Sequence, residues 1–112
     1  MTAIDIGANE GDVTAIAADM VGDSGRVIAY EPSPTAATAL QARFKSRPSV
    51  EIRQVAVSDH IGDASFYIDP SKSTSSTLFA GAIGSGCTMV NVAVRTLDDE
   101  VPLLPPVDLI KI

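Results

Sequence analysis

Several things are scarce in this sequence, and each scarcity removes a class of protein. Cys87 is the only cysteine, so an internal disulfide is impossible and a reducing, cytoplasmic setting is the expectation. No apolar run reaches the ~18 residues of a membrane span, and no basic segment leads into an apolar one as a secretion signal would. Positive charge is short: 8 Lys and Arg stand against 14 Asp and Glu, a formal net charge of -6. Nucleic acids and membrane surfaces are anionic, so neither is expected as a partner; small or neutral molecules fit better. His60 is the only histidine. No group of His, Cys and acidic residues has metal-ligand spacing, so no metal is expected.

What is present is enough apolar sequence for one domain. The chain has 112 residues, 46% of them hydrophobic but only 4% aromatic, which suits a buried sheet covered by helices. The most informative stretch is Ile4-Asp5-Ile6-Gly7-Ala8-Asn9-Glu10-Gly11. An apolar strand meets a carboxylate and then a glycine turn, and Gly11 opens a helix. Glycines at 7 and 11 let a ligand lie against backbone, and the helix start aims free N–H groups at it. Twenty residues past Gly11, the strand Arg26–Tyr30 ends in Glu31. A glycine turn followed by an acid at the tip of the next strand is how open α/β sheets hold a nucleoside and its ribose.

The rhythm along the chain is strand, helix, strand. Val13, Ile16, Ala17 and Met20 fall on one helical face over Gly11–Val21, which predicts them as its buried side. Ser33 and Pro34 predict an N-cap and first position, with Ala37, Leu40 and Phe44 inward and Pro48 as the stop. Val50 to Val57 reads as one strand. Two alternating segments, Ala64–Ile68 and Val90–Val94, then read as an antiparallel pair. The Ser/Thr/Gly-rich loop Asp69–Thr88 between them is long enough to be a lid. Asp98-Asp99-Glu100 reads as a helix start or a charged loop, and the chain ends on a strand, Val107–Ile112. The fold class is therefore α/β: a Rossmann-like, mostly parallel sheet with an inserted antiparallel pair.

Candidate site residues follow from cost and geometry. Asp5 sits on a buried strand, where an ionised carboxylate needs a cationic ammonium or several donors. The dinucleotide pattern G-x-G-x-x-G fails because Asn9 stands where its second glycine belongs, and Asp5 and Glu10 would repel a pyrophosphate. A cofactor with a cationic amino-acid end and no phosphates, such as S-adenosylmethionine, suits the turn. Glu31 can accept from two ribose hydroxyls. Val57 and Ser58, at the end of the third strand, are placed to meet an adenine through an apolar wall and backbone groups. His60, beside Asp59, reads as a surface turn residue rather than a general base, and Cys87 as inert. No catalytic residue is singled out.

These pieces, in this order, resemble the FkbM-type family of S-adenosylmethionine-dependent methyltransferases. The resemblance is carried by Asp5–Gly11, Val27–Pro34, Val55–Asp59, Ser75–Leu78, Thr96–Asp99 and Asp108–Ile112. It implies a class I methyltransferase sheet with the cofactor across the strand ends. Asp5, Gly7 and Gly11 then serve its methionine end, Glu31 its ribose, and Val57 and Ser58 at the end of the third strand its adenine, with Ala8, Asn9 and Pro32 as further cofactor-binding candidates. It also implies methyl transfer to a hydroxyl oxygen of a small molecule or sugar. Residues 1–112 would form a partial domain that stops before the family's D-x-E-G segment and is inactive alone. Two other classes compete: a nicotinamide-dependent oxidoreductase, and a domain that keeps the fold without catalysis.

Overall fold

A computed structural model describes residues 1–68, 76–77 and 88–112. The Asp69–Thr88 loop, apart from its few strand residues, and Cys87 lie outside them, so the lid expectation and the reading of Cys87 are not addressed by the structure.

Four strands form a parallel sheet in the order β3-β2-β1-β8, built from β1 (Thr2–Ile6), β2 (Arg26–Tyr30), β3 (Val50–Arg53) and β8 (Leu109–Lys111). Helices α1 (Asp12–Val21) and α2 (Pro34–Arg43) make the crossovers that parallel pairing requires. A second sheet, β4-β7-β5-β6, joins β4 (Val55–Val57), β5 (Gly62–Ile68), β6 (Ser76–Thr77) and β7 (Thr88–Arg95). Here β5 and β7 run antiparallel, with Ala64 opposite Val92, as the alternation predicts. β4 joins β7 in parallel.

Two expectations need correcting. The predicted strand Val50–Val57 is two strands in two sheets, broken at Gln54: β3 pairs with β2, and β4 with β7. Continuous β propensity hid the break, because a strand can change partners without changing its apolar pattern.

The second correction concerns α1. Val13, Ile16 and Met20 are exposed at 40%, 61% and 57%, and the buried face is Thr14, Ala17, Ala18 and Val21. That set has the same i, i+3, i+4, i+7 spacing, shifted by one residue. A hydroxyl and two methyls score poorly as hydrophobes, but their small size lets the helix lie close on the sheet. There Ala17, Ala18 and Val21 pack with Ala3 and Val27.

α2 follows its prediction. The Ser33 hydroxyl accepts from Ala36 N at 3.3 Å, Pro34 takes the first turn, and Ala37, Leu40 and Phe44 are buried. Burying Leu40 alone is worth about 2 kcal/mol. The helix stops at Arg43, ahead of Pro48.

The two faces of the parallel sheet are built differently. Toward α1 and α2 lie Ala3, Asp5, Val27 and Ala29. On the other face Ile4, Ile28 and Tyr30 meet Ile6, Val55, Val57 and Leu97, and the segment Val101–Val107. Thr96 caps the short helix α3 (Leu97–Glu100), accepting from Asp99 N at 3.3 Å. The acidic run is thus a helix start.

Candidate functional site

The β1–α1 turn is folded by left-handed backbone at three positions: Gly7 (φ 73), Asn9 (φ 52) and Gly11 (φ 93). Asparagine tolerates this region better than most residues, which explains why the middle of the turn can do without glycine. Gly7 N and Ala8 N both donate to Tyr30 O, at 2.9 and 3.2 Å, and tie the turn to the end of β2.

The two glycines do different jobs. A side chain on Gly7 would meet nothing within 4 Å, whereas one on Gly11 would lie 2.7 Å from Leu40 and 2.9 Å from Phe44. Gly11 is therefore small so that α2 can pack, and its N–H is used on Ala8 O. Only Gly7 leaves room for a ligand. The α1 N-terminus carries no side-chain cap, so its first N–H groups are not served by a capping residue.

Asp5 is 1% exposed. Its Oδ2 accepts from the Thr14 hydroxyl at 2.6 Å. Lys111, opposite it on β8, brings its Nζ to 3.0 Å from Oδ1. That contact is an ion pair without hydrogen-bond alignment, because Oδ1 has no hydrogen-bond partner. The same ammonium donates to Ile6 O at 3.2 Å and Gly7 O at 3.3 Å. The ammonium that a buried Asp5 demands is thus present within the chain.

Glu31, 2% exposed, is held by backbone amides. Its Oε1 accepts from Asn9 N and its Oε2 from Ser33 N, both at 2.9 Å. It fastens the glycine turn to the start of α2, and each oxygen keeps a further lone pair.

Two cavities flank the strand ends. One, of about 220 Å³, is lined by Gly7, Ala8, Asn9, Glu10, Asp12, Val13 and Lys111. The other, of about 430 Å³, is lined by Ile6, Val57, Ser58, Asp59, Thr96, Leu97, Asp98 and Ile112. Of the predicted residues, Gly7, Ala8 and Asn9 border the first, and Val57 and Ser58 the second. Asp5, Gly11, Glu31 and Pro32 line neither. Ser58 N donates to Arg95 O at 2.9 Å, so this N–H is not free for an adenine edge; the Ser58 hydroxyl, which donates to Asp59 at 3.3 Å, and the Asp59 and Asp98 carboxylates lie at the same cavity. His60 is exposed, with Nδ1 3.0 Å from Asp59 Oδ1. That bond, then one from Ser58, holds the Asp59 carboxyl below its ordinary range.

Sequence reasoning missed a second charged cluster, on the sheet's other face. Tyr30 donates to Glu100 Oε1 at 3.1 Å, and Arg53 donates to the same oxygen at 2.8 Å and to Glu51. Burial, then the Glu100 charge, pushes Tyr30 up to about 12. Arg53 is held above its usual value, first by Glu51. Glu100 stood last in an acidic run, where nothing marked it as different from its neighbours. Among the described residues, no group of three or more His, Cys, Asp or Glu could hold a metal, and no helix is long and apolar enough to cross a membrane.

The sequence model described as "Methyltransferase FkbM domain" matches residues 5–112. No match was found among curated proteins or among solved structures.

Proposed function

Since the chain belongs to the FkbM-domain methyltransferase family, we propose that its cleft takes S-adenosylmethionine and that its methyl acceptor is a hydroxyl oxygen of a small molecule or sugar. One observation carries the cofactor assignment. At the glycine turn, Asp5 Oδ1, Ile6 O and Gly7 O already surround an alkylammonium, that of Lys111. A site made of one carboxylate and two carbonyls accepts an amine and rejects a phosphate.

The residues present fit the group. Gly7 has open space where a side chain would be, and the buried Asp5 Oδ1 has no hydrogen bond. In this assignment Asp5 and the Gly7 carbonyl hold the amino-acid end. Glu31 serves ribose hydroxyls with the lone pairs left after Asn9 and Ser33 are bonded. Ile6, Val57 and Leu97 give the adenine an apolar wall, and Ser58, Asp59 or Asp98 its polar contact. When bound, S-adenosylmethionine supplies a methyl group already activated by its sulfonium. The chain's task is then to position the two reactants and exclude water, and it needs no metal for that.

Calorimetry with S-adenosylhomocysteine and with NAD tests the assignment. Binding of the first and not the second is expected; NAD binding would favour an oxidoreductase, and no binding a silent domain. Glu31→Ala should weaken S-adenosylhomocysteine about ten-fold or more, since a charged hydrogen bond is worth roughly 1.5–3 kcal/mol. Unchanged affinity in a folded variant would remove Glu31 from the ribose.

A further inference from the structure

On the cofactor assignment proposed above, we infer that Lys111 is an exchangeable internal occupant of the amine site: its ammonium seats on Asp5, Ile6 and Gly7 when the cleft is empty and leaves when a ligand ammonium arrives. The acceptors that a ligand amine would use are those that Lys111 Nζ holds, at 3.0, 3.2 and 3.3 Å. Two cations cannot share them, because like charges at such spacing repel strongly in a partly buried site.

Three features favour exchange over a permanent pair. The Lys111 side chain is 37% exposed while Asp5 is 1% exposed, so the cation can withdraw to water and the carboxylate cannot. Lys111 lines the cavity by the glycine turn, so its ammonium is reached from the side where a ligand would enter. Asp5 Oδ1 has no aligned hydrogen bond from it. Lys111 compensates the buried charge without satisfying the oxygen, and a ligand ammonium that reached Oδ1 along a lone pair would do both. Lysine suits the part, being a point charge on a flexible stem.

Exchange lowers the apparent affinity for any amine-bearing ligand by the fraction of time the site is free, and leaves a ligand without the amine untouched. The test compares S-adenosylhomocysteine with 5′-methylthioadenosine, which keeps the nucleoside and thioether but lacks the amino-acid end. In the full chain, Lys111→Met should tighten S-adenosylhomocysteine by about three-fold or more and leave 5′-methylthioadenosine unchanged. Unchanged or weaker S-adenosylhomocysteine binding in the folded variant overturns the exchange; weaker binding would make Lys111 an anchor for the ligand carboxylate instead.

Removing the cation also leaves Asp5 uncompensated, so a second measurement uses the unaltered chain. Labelling by an amine reagent, read peptide by peptide, should rise at Lys111 with S-adenosylhomocysteine and not with 5′-methylthioadenosine. Constant or falling labelling overturns the exchange. If the unaltered chain binds neither probe, the cofactor assignment itself fails, and the exchange with it.

Discussion

Asp5 and Glu100 are carboxylates buried on opposite faces of the parallel sheet, and their surroundings differ. Glu100 is met by the Tyr30 hydroxyl and the Arg53 guanidinium, and Arg53 is braced in turn by Glu51. Asp5 is met by one hydroxyl, from Thr14, and by an ammonium that fails to align with its second oxygen. The Glu100 cluster joins β2, β3 and α3, with apolar side chains around it. The Asp5 pair adjoins the cavity at the glycine turn. A saturated charge cluster fixes elements against each other, whereas an unsaturated one beside open space can take a ligand. The Glu100 cluster is of the first kind, and the Asp5 pair has the features of the second.

That contrast can be broken most severely at Glu100. Glu100→Ala leaves Tyr30 and Arg53 without their shared acceptor, and should cost about 2–4 kcal/mol of stability in urea denaturation. Glu100→Gln, which can still accept from Tyr30, should cost less. A loss below about 1 kcal/mol for the alanine would mean that the cluster holds nothing together.

Asp5→Asn should divide the two properties the other way. Keeping the Thr14 contact and losing the charge, it should cost only about 1–2 kcal/mol, yet weaken S-adenosylhomocysteine about ten-fold or more. Stability lost without affinity lost would make Asp5 another Glu100.

The mildest probe is pH. Tyr30 ionises at about 12 in the folded chain against an ordinary 10.0, so the native state holds this proton more tightly than the unfolded chain. Its stabilising effect is complete below pH 10 and is lost as pH rises from about 10 to about 12. Denaturation followed across that window should show stability falling, and Tyr30→Phe should flatten the slope. An unchanged slope would leave Tyr30 out of the cluster's energetics.

Much of this was legible in the sequence where one residue type has one physical use. The glycine turn, the capped start of α2 at Ser33 and Pro34, and the alternation of β5 against β7 were all read correctly. The inner face of α1 was legible only at Ala17, because Thr14 and Ala18 bury well by being small, and hydrophobicity does not score smallness. Gly11 was read as room for a ligand, but the room is taken by Leu40 and Phe44. Contacts across the fold were also hidden: nothing near Asp5 in sequence points to Lys111, and nothing near Glu100 points to Tyr30.

The break at Gln54 has a consequence for selectivity. The chain leaves one sheet there and enters the other, so Gly7 and Asp5 are mounted on the first while Val57 and Ser58 ride on the second. The two ends of the proposed cleft are therefore carried on separate sheets, joined at Gln54. A ligand spanning both would be selected by length as well as by chemistry. A nucleoside whose amino-acid arm is a methylene too short or too long would satisfy one end and miss the other.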